Sequence, residues 1–104
     1  MYSVLSEVNS SDEENVCGVG ISIYKDNPTY INRLKTNSPA YNSGIKSGYI
    51  IKSIDNNKTD NWTTEEIAGS ITGKCGSIVK LQIEGTDGKI KKYTLTRNIN
   101  TDWK

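Results

Sequence analysis

Gly18-Val19-Gly20-Ile21-Ser22-Ile23-Tyr24 is the stretch on which the fold turns. Val19 to Tyr24 reads as a strand opening with two glycines, which permit a turned or bulged start. Downstream, Asp26-Asn27-Pro28 is a turn, and Thr29 to Lys35 alternates Tyr, Ile and Leu with polar residues as a half-buried strand does. Ser38-Pro39-Ala40 then starts a short helix, with Ser38 as N-cap and Pro39 at the first helical position, and Gly44 ends it.

Further out the punctuation continues. Tyr49 to Ile54 reads as a strand and Asp55-Asn56-Asn57-Lys58 as a tight turn, with a minor strand over 58–61. Thr63 with Glu66 three residues on is a capping box, followed by Ile67, Ala68 and Ile71 on one face, and Gly73 closes that helix. Ile78 to Ile83 and Lys89 to Thr96 are strands joined by Gly85-Thr86-Asp87-Gly88, a hairpin signal. The order β, β, short α, β, α, β, β predicts an α+β, mainly β domain. Its architecture is a small curled sheet or partial barrel of five to six strands capped by two helices.

Length and composition bound what such a domain does. The 104 residues hold one core and no second one. A chain this short can fold alone but is not expected to hold a large internal active site; hydrophobic residues are 34% of it, with no Phe. Residues 1–15 carry Glu7, Asp12, Glu13 and Glu14 and no base, which leaves +5 on the remainder of a chain whose net charge is +1. We read 1–15 as a flexible acidic arm, 16–98 as the domain and 99–104 as an outgoing linker. No apolar run reaches the roughly 18 residues of a spanning helix, so direct membrane insertion is not expected, and no targeting signal is visible. Lys89, Lys91 and Lys92 sit along a hairpin strand and read as a solvated face, so nucleic acid is not an expected partner.

From residue 17 to 98 the chain resembles the PDZ family. Gly18-Val19-Gly20-Ile21 resembles that family's carboxylate-binding loop, and Ser38-Pro39-Ala40 through Gly44-Ile45-Lys46-Ser47-Gly48 resembles the stretch around its short helix. Ile50-Ile51-Lys52-Ser53-Ile54-Asp55 is similar to the strand that follows, and Thr63 to Ile71 to the groove helix. The resemblance implies a module that binds free C-termini of polypeptides by strand addition. The loop's N–H groups at Val19, Gly20 and Ile21 would form an anion nest, glycine supplying the positive φ and the clearance. Gly18, Val19, Gly20 and Ile21 are thus the expected carboxylate site, and Ser22, Ile23, Thr64, Ala68 and Ile71 the expected groove, with Ile67 in the core. Two departures bear on specificity. Thr64 stands where many members carry His, which implies little demand two residues before the ligand terminus and an apolar or small last residue. Gly48-Tyr49 replaces the usual Gly-Asp.

The layout, with a strand after the last hairpin turn taking the place of a first one, is similar to the circularly permuted bacterial type. Gly73-Lys74-Cys75-Gly76-Ser77-Ile78-Val79-Lys80-Leu81-Gln82-Ile83 and Thr94-Leu95-Thr96-Arg97 resemble segments of C-terminal processing (tail-specific) serine peptidases. That resemblance implies a non-catalytic, cofactor-free recognition domain, monomeric when isolated. Its partners would be substrate C-terminal segments and a Ser-Lys protease core in the same polypeptide, outside the cytoplasm in the cell envelope. Alternatives are a stand-alone bacterial adaptor, a protease of the high-temperature-requirement type, or a groove shut by the chain's own acidic arm. The residues agree with a non-enzyme: there is no His for a Ser-His or Cys-His pair, and two Cys without His make no usual zinc site. In a PDZ fold Cys17 and Cys75 approach one another, so either two free thiols or a disulfide is open, the bridge requiring an oxidising compartment.

Overall fold

Period-two burial builds the main sheet. In the computed structural model, which describes residues 16–25 and 28–100, the strand Ile78–Glu84 buries Val79, Leu81 and Ile83 and turns Ile78 and Lys80 to solvent. The elements in chain order are β1 (Val16–Gly18), β2 (Ile21–Tyr24), β3 (Thr29–Leu34), α1 (Pro39–Asn42), β4 (Ile50–Ile54) and β5 (Asn57–Lys58). There follow α2 (Thr64–Ile71), β6 (Gly73–Lys74), β7 (Ile78–Glu84), β8 (Ile90–Thr96) and β9 (Ile99–Asn100). Antiparallel pairing gives one sheet in the order β2-β3-β4-β7-β8, with β5 also paired to β4, and a second, smaller sheet in the order β9-β1-β6. This is the small, mainly β architecture with two helices that the sequence predicts.

Local chemistry explains most of the boundaries. Thr63 accepts from the Glu66 N–H at 3.1 Å while the Glu66 side chain accepts from the Thr63 N–H at 2.8 Å, so both halves of the capping box form. Ser38 likewise caps α1 by accepting from the Tyr41 N–H. Asp55 and Asn56 both take positive φ, 50° and 71°, between paired Ile54 and Asn57, as a two-residue hairpin loop of the primed type requires.

Four differences from the sequence reading go beyond a one-residue shift at a strand end. The first strand is not continuous from Val19 to Tyr24: Gly20 at φ +93° breaks the extended path, and β1 and β2 fall into different sheets. The minor strand lies at Asn57–Lys58 rather than 58–61, because the two-residue turn leaves Asn57 already paired. Gly73 does not close α2. The helix ends at Ile71, Thr72 turns extended with ψ 159°, and Gly73 opens β6 opposite Cys17. Ile99 and Asn100, read as outgoing linker, pair with Gly18 and Cys17. The acidic arm, most of the Asp26-Asn27-Pro28 turn and residues 101–104 lie outside the described residues.

The fully buried core is aliphatic, with Tyr49, Trp62 and Tyr93 packed against it. Ile31, Ile51, Ile54, Val79, Leu81, Ile83 and Leu95 from the main sheet meet Ala40, Ile45, Ile67 and Ile71, with Val19 beneath them. Two further links fasten the small sheet and the end of α2. Cys17 and Cys75 are joined in a disulfide with their Cα atoms 4.8 Å apart. Arg97, 9% exposed, donates from Nε to the Ile71 carbonyl at 2.8 Å and from Nη2 to the Ser70 carbonyl at 3.1 Å. Its Nη1 donates to Ser77 Oγ and to the Ile78 carbonyl. A cation at a helix C-terminus satisfies carbonyls that have no partner inside the helix.

Candidate functional site

Between β1 and β2 the chain makes a loop whose polar groups point two ways. The carbonyls of Gly18, Val19 and Gly20 are spent on the side facing the domain, accepting from Asn98 N–H at 3.0 Å, Ala40 N–H at 3.1 Å and Lys35 N–H at 2.8 Å. The N–H groups of Val19 and Gly20 donate to no group among the described residues. The sequence allows this turn only because Gly20 has no side chain: a Cβ there would be built into Ser38 Cβ and Oγ, and φ is +93°.

Past the loop, β2 is an edge of the main sheet, paired on one side to β3. Ile21 sits opposite Leu34, and the adjoining Lys35-to-Gly20 bond makes that a non-hydrogen-bonded pair. The main-chain N–H and C=O of Ile21 therefore point away from β3, into the space under α2. An extended chain laid there finds an unpaired ladder.

A groove of about 160 Å³ occupies that space. Its floor is the loop from Gly18 to Ile21 with Ser22 and Ile23, and its far wall is Ala68, Ile71 and Thr72. Ile99 and Asn100 of β9 close the end beside the loop. None of these lining residues is charged. An anion in the groove would be met by backbone N–H groups, with apolar side chains around it. Val19 is 1% exposed and Ile71 4%, so both serve the core as well as the groove.

Of the nine residues expected from sequence, eight line this groove. Thr64 does not: it lies half-buried at the first turn of α2, away from the enclosed end. Ile67, expected in the core, is fully buried there. Thr72, Ile99 and Asn100 were missed. Thr72 carried a weak signal, lying one residue past Ile71 at the helix end. Ile99 carried none locally, because its place depends on a pairing with residue 18, far away in sequence.

The family model described as PDZ domain matches residues 7–84. Among solved structures, the fold is similar to that of the photosystem II D1 C-terminal processing protease, at TM-score 0.76 and 20% identity over 92% of this chain. The match spans only 26% of that protein. The PDZ domain of the carboxy-terminal protease from Vibrio cholerae, solved in complex with peptide, is 27% identical at TM-score 0.68. There the match covers 80% of this chain and 95% of that one. An HtrA-type protease with decapeptide shares the fold at TM-score 0.67 and 13% identity, over 91% of this chain and 32% of that one. No curated protein sequence matches.

Proposed function

The chain belongs to the PDZ domain family, and on that premise we propose that it binds the free carboxyl terminus of another polypeptide as a strand added to β2. One observation carries the reading: Val19, Gly20 and Ile21 line an uncharged groove, the Val19 and Gly20 N–H groups donate to no described residue, the Ile21 N–H points away from β3, and the loop's carbonyls are already occupied within the domain. Three such donors are a receptor for a carboxylate. The ligand's terminal oxygens take these donors, its backbone runs antiparallel to β2 along the open ladder, and its last side chain enters the space between Ile21 and Ile71.

Within that reading, the domain selects substrate tails for a C-terminal processing serine protease whose catalytic core belongs to the same polypeptide. This chain contributes binding and no catalytic group. The likeness to two C-terminal processing proteases supports that assignment. The Cys17–Cys75 disulfide supports a site of action outside the cytoplasm, where such bonds persist. Affinity for one short peptide is modest, because a flexible strand loses conformational freedom on docking.

The test is an amide chemical-shift titration with peptides ending in Ala, Val, Leu or Asp, each with a free or an amidated terminus. Free apolar-ended peptides should move the Val19, Gly20 and Ile21 amides, and amidation should abolish the effect. Equal binding of free and amidated peptides would remove the carboxylate from the account.

A further inference from the structure

The groove has a wall that belongs to neither β2 nor α2. Ile99 lies in the two-residue strand β9, directly opposite Gly18 in the register of the small sheet, and it lines the groove beside the carboxylate loop. It is partly exposed and flanked in sequence by Asn98 and Asn100. What marks Ile99 out is its place: it is the apolar residue that β9 contributes to the groove lining, so a side chain seated at that end of the groove meets it. The matched family region ends at residue 84, so β9 lies beyond it.

We propose that Ile99 is a specificity-determining residue: it forms the end wall of the pocket for the ligand's last side chain and sets the size of residue accepted there. This rests on the carboxyl-terminus reading above. The geometry leads to it in two steps. The donors at Val19 and Gly20 fix where the carboxylate stands, and the last side chain must leave the α-carbon next to it, toward the apolar lining. That lining is Ile21 on one side, Ile71 on another and Ile99 at the end, with Val19 below. Ile21 and Ile71 are held by the main sheet and the core. Ile99 is held by β9 alone, pinned by the Asn98 N–H bond to the Gly18 carbonyl at 3.0 Å. It is therefore the wall whose truncation enlarges the pocket without emptying the core, because Ile99 is not among the buried core residues.

The experiment compares the wild-type domain with Ile99→Ala and Ile90→Ala against free-carboxyl peptides that differ only in a last residue of Ala, Val, Leu or Phe. Ile90 is 53% exposed at the hairpin end and serves as the control. Ile99→Ala should raise the ratio of Leu- or Phe-ended to Ala-ended affinity by about tenfold or more, the lower end of what one methylene commands in an apolar pocket, while Ile90→Ala leaves it unchanged. An unchanged ratio in folded Ile99→Ala, with wild type still preferring free over amidated termini, overturns this inference and leaves the carboxylate reading intact. Wild type indifferent to amidation overturns both. Should Ile99→Ala not fold, isoleucine-methyl NOEs decide in the wild-type complex. Contacts from Ile99 to the ligand's last side chain uphold the assignment, and their absence beside Ile21 and Ile71 contacts refutes it.

Discussion

Gly20→Ala is the perturbation that isolates the loop. Two costs act there. At φ +93° an L-residue is strained by about 1–2 kcal/mol. In addition the new Cβ would overlap Ser38 Cβ and Oγ, and Ser38 is fully buried, capping α1, so no side-chain rotation removes its Cβ from the path. Overpacking of this kind adds about 1–3 kcal/mol, for a total near 3 kcal/mol. Gly48 separates the two terms: it has φ +90° with nothing within 4 Å of its would-be Cβ, so Gly48→Ala carries the backbone strain alone. Urea denaturation of both variants gives the overlap as their difference, expected near 2 kcal/mol. Ser38→Gly removes the obstructing atoms while a glycine N-cap costs only a few tenths of a kcal/mol. The double variant should therefore recover most of that difference. In Gly20→Ala relief comes from moving the loop, so peptide affinity should fall at least tenfold even where the domain stays folded. If Gly20→Ala proves no less stable than Gly48→Ala, the close packing of loop and cap is refuted.

Three further outcomes follow from contacts described above. Arg97→Met should destabilise the domain by about 2–4 kcal/mol, since it leaves the Ser70 and Ile71 carbonyls without their partner. Arg97→Lys should fail to restore it, because an ammonium lacks the planar fork, and thermal unfolding of both checks this. Replacing Cys17 and Cys75 together by Ser should lower stability by about 4 kcal/mol for a bridge of sequence separation 58 in the chain-entropy model, measured by denaturation with and without reductant. Thr63→Ala should cost about 1 kcal/mol by loss of the capping box, with faster amide exchange confined to the first turn of α2; an unchanged exchange pattern there would contradict it.

What could be read from the chain was what is encoded within a few residues. The capping box of α2 lies inside four consecutive positions, the cap of α1 inside Ser38-Pro39, and the β7–β8 hairpin around Gly85 to Gly88. The turned glycine loop before β2 was legible because its requirement, glycine at a positive φ before an apolar strand, is also local. The small sheet was not. Its strands are two or three residues long, too short for periodicity to register, and are joined only by partners far apart in sequence. Gly73 was misread for the same reason. It looks like a helix stop, but its missing side chain makes room for Arg97, whose Nε would lie 2.9 Å from a Cβ there. The disulfide stayed open on sequence because what brings Cys75 to Cys17 is the two-residue strand β6.

The small sheet also decides how the domain responds to being pulled. β1 and β9 run side by side, with Asn100 opposite Cys17, so the described chain enters and leaves at a single corner. The two leads are not equally fastened. The incoming one is bolted at Cys17 through the bridge to Cys75, whereas the outgoing one is held by a two-residue strand pair. Tension across that corner therefore peels β9 first, like a latch on a hinged door, and the part that swings away carries Ile99. Force on the outgoing lead would unseat a wall of the groove long before it reached the core.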